Sequence, residues 1–441
     1  MRIAIVSDTY KPEINGVVTS IVNFSEYLAA HGHEVLIITP KYDKKRDLVQ
    51  QNITIKRFPS LSYATNKNTR IAFPSIFAII SELRKFKPDI VHVQTPMTIG
   101  VSGIMAARVL KLKCIQTYHT YIPDFMVYVN PYNVFGFDRL ADSIASMKII
   151  RKIVQSDMFE VSEDFLDDQV RKSLFTKRIR KISRRYWKKG ESNIGDRFAW
   201  DFSRILYNRS DLVITPSRTL AKLLKRHRIK PPVVDVSNGI DYHDFTKKSD
   251  YKITHKIFSV GRLGVEGKNV DVVIKSFALA LKTRPDLVLD IGGDGPARGA
   301  LERLVEDLKI GRSVNFRGFI SHADLKREYH GADAFITAST METQGLVILE
   351  AMAAGLPVIG VDALAVPEYV KNNKNGYLVK PGDIKAMAEA ILRLTESPER
   401  NERFGKTGLK LASKHDLPAC AEKLERVYAD VLAGNSFRKK K

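Results

Sequence analysis

The sequence predicts an α/β protein of two doubly wound, Rossmann-like domains. Short apolar runs alternate with helical patterns, as in parallel sheets covered on both faces. The alternation occurs as two series, one before and one after residue 240. The 441 residues also exceed what one ordinary core organises and suit two domains.

The first series opens with "RIAIVS" (2–7), read as a buried strand, then a glycine-containing loop and a helix from about Val17 to Ala30. "EVLIITP" (34–40), "DIVHVQTP" (89–96) and "CIQTYHT" (114–120) read as further strands. Residues 131–200 break the pattern and read as a helical insertion. The alternation resumes with "DLVITPS" (211–217) and "PVVDVSNGID" (232–241). The second series runs through "KIFSVGR" (256–262), "LVLDIGGDG" (287–295), "SVNFRGF" (313–319), "DAFITAS" (333–339) and "PVIGVD" (357–362). The expected division is 1–237, 238–415, and a C-terminal helix with a basic tail over 416–441, the boundary falling in the polar stretch 237–253. Ligands of open α/β sheets bind outside the strand C-termini, so the site is expected in a cleft there.

Composition, at 44% hydrophobic and 27% charged, is that of a soluble globular protein. No apolar stretch is long enough to span a bilayer, and the N-terminal run lacks a signal-peptide cleavage site. Cys114 and Cys420 make neither a disulfide framework nor a zinc site, and fit a reducing cytoplasm. The net charge of +22 is uneven. Residues 1–240 hold 39 Lys and Arg against 22 Asp and Glu. Such a half suits a polyanionic partner: phosphorylated ligands, an anionic membrane or nucleic acid. A merely solvated surface is the plain alternative.

Two motifs fall at strand C-termini. In "SVGRLGVEGKN" (259–269), Arg262 and Lys268 stand among glycines; fixed cations on a close-approaching backbone suit a pyrophosphate. This is neither a P-loop nor a dinucleotide fingerprint, and Arg and Lys in an exposed turn are common. In "METQGLVILEAMAAG" (341–355), a helix starts at Gly345. The N–H groups of Gly345, Leu346 and Val347 would bind a phosphate. Glu350, one turn inside, would accept a ribose's hydroxyls. Glu342, in the preceding loop, would accept hydroxyls of the group on the far phosphate. The two carboxylates would then hold opposite ends of a nucleotide-sugar.

Over residues 205–415 the chain resembles the retaining GT-B glycosyltransferases. The marks are Glu342 and Glu350 eight positions apart with "AMAAGLPVI" after them, the Arg262/Lys268 pair, "NGID" (238–241), "GGDGP" (292–296) and "FRGFIS" (316–321). "SDTYKPEINGVVTSI", "QTYHTYIPDFMVYV" and Gln344 in "ETQGL" narrow the resemblance to diacylglycerol glucosyltransferases. The resemblance implies the GT-B fold, with the C-terminal helix returning to the N-terminal domain, and α-glucosyl transfer from UDP-glucose to diacylglycerol. It places Gly16 and Val17 in a backbone loop near the donor phosphates, His119 at the sugar's outer hydroxyl, and Phe319 and Ile320 at the base. A satisfied strand-end histidine is the ordinary alternative for His119. Where relatives carry an acidic pair after "TYHT", this chain keeps only Asp124.

No Asp-x-Asp occurs, so neither metal nor other cofactor is expected. Arg262, Lys268 and the helix end at Gly345 would neutralise the leaving diphosphate. Mannosyl transfer from GDP-mannose, or another lipid or soluble acceptor, is the second reading. The segment 171–190 holds ten Lys and Arg and no acid, with apolar residues at helical spacing. Arg178, Lys181, Arg184, Arg185, Trp187 and Lys188 would make a membrane-surface helix, placing the protein on the inner face of the cell membrane. The rival reading is nucleic-acid binding through the same segment, with Tyr186 and Trp187 as stacking platforms. No nucleic-acid-binding motif accompanies it.

Overall fold

The computed structural model describes residues 1–42, 50–63, 66–72, 76–120, 194–264, 267–435 and 437. The basic segment 171–190, with all six residues expected at a membrane, lies outside the described residues, as does the expected helical insertion up to 193. The chain divides into two compact units. One holds Met1–Thr215, Ala221–Val234 and Arg426–Lys441; the other holds Pro216–Leu220 and Asp235–Glu425.

The first unit runs β1 (Arg2–Val6), α1 (Gly16–Ala30), β2 (Glu34–Pro40), β3 (Ile53–Phe58), a β4–β5 hairpin (Ser60–Tyr63, Asn66–Ala72), α2 (Ile76–Phe86), β6 (Ile90–Val93), α3 (Thr98–Val109), β7 (Lys113–Thr117), α4 (Ile194–Tyr207), β8 (Leu212–Thr215), α5 (Arg218–Arg226) and β9 (Val233–Asp235). The sheet order is β3-β2-β1-β6-β7-β8-β9. β1 lies between β2 and β6 and runs parallel to both. Ile3, Ala4, Ile5 and Val6 are all buried, which is why this strand reads as a continuous apolar run.

The loops after β1 and β6 meet at Asp8. Its carboxylate accepts from Thr95 Oγ1 and from the Met97, Ile99 and Gly100 amides at 2.6–3.2 Å. Thr98 Oγ1 also donates to it, at 3.1 Å. Met97, the residue before α3, caps nothing itself, so Asp8 closes that helix end from another strand's loop.

The second unit runs β10 (Lys256–Val260), α6 (Val270–Leu281), β11 (Val288–Gly292), α7 (Arg298–Asp307), β12 (Val314–Gly318), α8 (His322–Gly331), β13 (Ala334–Ile336), α9 (Leu346–Ala353), β14 (Val358–Val361), α10 (Val366–Tyr369), β15 (Gly376–Val379), α11 (Ile384–Leu394) and α12 (Pro398–Ala412). The final helix, α13 (Leu417–Leu432), begins in this unit and ends in the first. The sheet is β12-β11-β10-β13-β14-β15, parallel throughout. Side chains alternate between two cores. Ile257, Leu289 and Ile336 pack with α6 on one face; Phe258, Phe335 and Val358 pack with α9 on the other.

Several elements differ from the sequence reading. β3, the hairpin and β15 have no counterpart in that reading, and α1 starts at Gly16. The stretch 237–253 belongs to the second unit, where Ile240, Tyr242, Phe245 and Tyr251 are buried.

Replacing Asp8 with Ala should leave the Ile99 and Gly100 amides buried without an acceptor. The expected cost is about 2–4 kcal/mol, read as a fall of several degrees in the first thermal unfolding midpoint.

Candidate functional site

In the second unit, strand order reverses at β10, which pairs with β11 on one side and β13 on the other. The loops leaving β10 and β13 carry the motif residues, as a topological switch point requires. They are tied together. Thr340 N–H donates to Gly267 O at 2.8 Å, and Asn269 Nδ2 donates to Ala338 O at 3.1 Å. Gly267 has φ +73°, and a Cβ there would meet Met341 Sδ at 1.6 Å. The "GGDGP" turn closes the floor: Gly293 has φ +112°, and its Cβ would meet Gly261 O at 1.9 Å.

A cavity is lined by Gly261, Arg262, Lys268, Thr337, Glu342 and Val347, with the ends of β10 and β11. Arg262 is exposed and makes no ion pair among the described residues. Lys268 Nζ lies 2.6 Å from Glu342 Oε1. Burial pushes the Glu342 pKa up, but the Lys268 charge and hydrogen bond and the Ser339 hydroxyl outweigh it, and the net shift is downward.

The N-terminus of α9 opens onto this cavity through Val347. Gly345, at φ +84°, offers no side-chain cap. Among the described residues the amides of Gly345, Leu346 and Val347 have no acceptor. Side chains close α8 (Ser321), α11 (Asp383) and α12 (Ser397), whereas α6, α7 and α10, like α9, carry no side-chain cap. An uncapped end with its dipole is an anion site. Half-buried Glu350 follows on the same helix. Tyr329 Oη, from α8, lies 3.1 Å from its Oε2 and 3.2 Å from Val347 O. Burial raises the Glu350 pKa to about 7, the Tyr329 hydrogen bond pulling the other way.

In the first unit, the α1 N-terminus is closed. Asn15 Oδ1 accepts from Val17 N at 3.0 Å and Val18 N at 2.9 Å. Gly16 is exposed, and its amide has no acceptor among the described residues. His119, just after β7, is buried; its Nε2 lies 2.6 Å from Gln94 Oε1. Burial lowers its pKa to about 3, keeping the ring neutral.

A model of group 1 glycosyl transferases matches residues 244–411, and one of Glycosyltransferase Family 4 matches 14–159 and 165–244. The chain belongs to the GT-B glycosyltransferases. This glycosyltransferase is 26% identical over 439 residues to the alpha-monoglucosyldiacylglycerol synthase of Streptococcus pneumoniae, spanning 100% of this chain and 88% of the relative. It is 25% identical to a GDP-mannose-dependent alpha-mannosyltransferase of Mycolicibacterium smegmatis, over 99% of this chain and 100% of the relative. Its fold is similar to that of sucrose-phosphate synthase from Thermosynechococcus elongatus, with TM-score 0.68, 18% identity and coverage of 98% and 100%. It is also similar to that of Anabaena HepE solved with UDP-glucose, with TM-score 0.66, 15% identity and coverage of 98% and 100%.

Of the residues singled out in the glycosyltransferase sequence, Arg262, Lys268, Glu342 and Val347 line one cavity. Gly345, Leu346 and Glu350 belong to the same loop and helix. Phe319 and Ile320 follow β12, Phe319 being 66% exposed. Gly16, Val17 and His119 belong to the first unit, where Val17 differs from the simple expectation because Asn15 already occupies its amide. Gln344 is not among the residues lining the cavity. Its Oε1 accepts from Asn238 N at 3.1 Å and its Nε2 donates to Ser237 Oγ at 2.6 Å. Sequence reasoning missed Tyr329, Asn269 and Gln94. Gln94 had a local signal in its place at a strand's C-terminal end, and Asn269 in closing the motif 259–269; Tyr329 had none. Among the described residues no three His, Cys, Asp or Glu side chains gather as a metal-binding group.

With its pKa near 7, Glu350 in the empty site is ionised above that pH and protonated below it. On the expectation that Glu350 accepts ribose hydroxyls, which favour the carboxylate, UDP affinity should fall by about tenfold per unit below pH 7. Calorimetry across pH 5.5–8.5 checks this against Glu350→Gln, the baseline for UDP's own phosphate titration.

Proposed function

We propose that the protein is a retaining glucosyltransferase that moves α-glucose from UDP-glucose to diacylglycerol at an anionic membrane surface. The observation that carries the donor reading is the uncapped α9 N-terminus, set beside Arg262 and Lys268 and between Glu342 and Glu350. That layout matches a nucleoside diphosphate with a sugar on the far phosphate. Glu350 takes the ribose, Glu342 the transferred hexose, and the loop at Phe319 and Ile320 the base. The neutral imidazole of His119 suits a hexose hydroxyl.

Transfer needs positive charge where the diphosphate leaves. Arg262, Lys268 and the helix end supply it, so the reaction proceeds without a required metal. The leaving phosphate takes the acceptor's proton on the face from which it departs. The acceptor reading leans on the relatives named as alpha-monoglucosyldiacylglycerol synthases, from Streptococcus pneumoniae and Acholeplasma laidlawii. No described helix is long and apolar enough to cross a membrane. Surface attachment is proposed through 171–190, which starts forty-seven positions before Arg218 in the chain. On α5, Arg218, Lys222, Lys225 and Arg226 add an exposed cationic face. Mannosyl transfer from GDP-mannose remains the second reading, supported by the relatives named for that donor.

The test is a panel of UDP-glucose, UDP-galactose and GDP-mannose against vesicles of diacylglycerol and an anionic phospholipid, with products read by mass spectrometry. A glucosyl-diacylglycerol from UDP-glucose is expected; a mannosyl product moves the assignment to the second reading. Arg262→Ala should cost roughly 2–4 kcal/mol of transition-state stabilisation, with EDTA changing the parent's rate little. A strict Mg²⁺ or Mn²⁺ requirement would refute the metal-free mechanism.

Changing Arg178, Lys181, Arg184, Arg185 and Lys188 together to Gln removes about 5 kcal/mol of surface attraction at most, less after salt screening. The variant should stop sedimenting with anionic vesicles while binding UDP like the parent. Unchanged sedimentation, with loss of single-stranded DNA binding, would favour the nucleic-acid reading.

A further inference from the structure

We propose that Gln94 is a positioning residue that fixes the tautomer of His119, so that the ring presents an unprotonated Nδ1 as a hydrogen-bond acceptor to the donor's hexose. The proposal rests on the reading that His119 meets that hexose. Gln94 follows β6 and His119 follows β7, neighbouring parallel strands of the first unit. Gln94 Oε1 lies 2.6 Å from His119 Nε2. An amide oxygen only accepts, so Nε2 must carry the hydrogen, and a neutral imidazole has only one. Nδ1 is then a bare lone pair, and among the described residues nothing occupies it.

The inference depends on which way the Gln94 amide points, and a second histidine decides that. Gln94 Nε2 lies 3.2 Å from His92 Nδ1 and 3.3 Å from His92 Nε2. A point so nearly equidistant from both ring nitrogens cannot lie in the ring plane without overlapping Cε1. The amide nitrogen therefore sits over the ring face, where an N–H is attracted by the π cloud and a carbonyl oxygen is repelled. His92 is held in turn: Nδ1 is 2.7 Å from Tyr428 Oη on α13, and Nε2 is 2.7 Å from Thr117 Oγ1. Burial, with the neighbouring His119, lowers the His92 pKa to about 3, so the platform stays uncharged. Tyr428 and Thr117 fix His92, His92 fixes the Gln94 amide, and Gln94 fixes His119. A fixed acceptor selects a hydroxyl that can donate to it.

The test is nitrogen NMR of the full chain labelled at histidine, with His119→Gln used to assign the ring. The parent should show His119 protonated at Nε2 and bare at Nδ1 from pH 6 to 8. Gln94→Leu should lose that preference, and Gln94→Glu, which still accepts at the same place, should restore it. Transfer from UDP-glucose to diacylglycerol in mixed vesicles should fall roughly 10-fold in kcat/KM for Gln94→Leu, with UDP affinity unchanged. A parent ring protonated at Nδ1, a Gln94→Leu ring of unchanged tautomer, or unchanged transfer would each overturn the proposal. Absence of hexose transfer by the parent from any donor would overturn the functional reading instead, leaving the tautomer result to stand apart.

Discussion

The reversal of strand order at β10 is the constraint on which the second unit's chemistry depends. Because β11 and β13 flank β10 on opposite sides, the helices that follow β10 and β13 are committed to opposite faces of the sheet. α6 packs into one core and α9 into the other. Their leading loops therefore have no helix between them and are free to bond to each other, as Thr340 does with Gly267. Glycine is needed at 267 and 293 because backbone, sulfur and strand ends meet there without room for a Cβ. The cavity is a by-product of topology; the motif residues furnish it.

Its furnishings differ in electrostatic state. Lys268 is already matched by Glu342, and its charge and hydrogen bond help hold the Glu342 carboxyl below its usual range. Arg262 is exposed and has no ion-pair partner among the described residues. Glu350 is pressed toward its neutral form by burial, with one tyrosine hydroxyl against it. In the proposed reading, an incoming diphosphate would meet Arg262, the Lys268–Glu342 pair and a row of backbone dipoles. Among the described residues no side chain caps these dipoles by a hydrogen bond, and Gly345 sets their direction.

Much of this was legible in the sequence because the informative residues are local. The central strands are buried on both faces, so they stand out as apolar runs, and Arg262, Lys268, Glu342 and Glu350 all lie in short segments after strands. What escaped depends on distance along the chain. β3 reads "ITIKRF", with charges inside the strand, and β15 is four residues opening on glycine. Tyr329 reaches Glu350 from 21 residues upstream. His92 and Tyr428 are 336 positions apart, a separation no local pattern encodes. Gln344, legible as a mark of resemblance, bonds Ser237 and Asn238, more than a hundred positions upstream.

Each half of the molecule places an asparagine immediately before the helix that follows its first central strand: Asn15 before α1 and Asn269 before α6. Asn15 is extended and turns its oxygen onto its own helix. Asn269 is left-handed, at φ 49°, and sends its amide to Ala338 of another loop. The same residue type at corresponding places thus makes different bonds in the two sheets' first loops. A residue that seals a helix in one half stitches two loops together in the other, so the halves are not interchangeable parts despite their shared architecture.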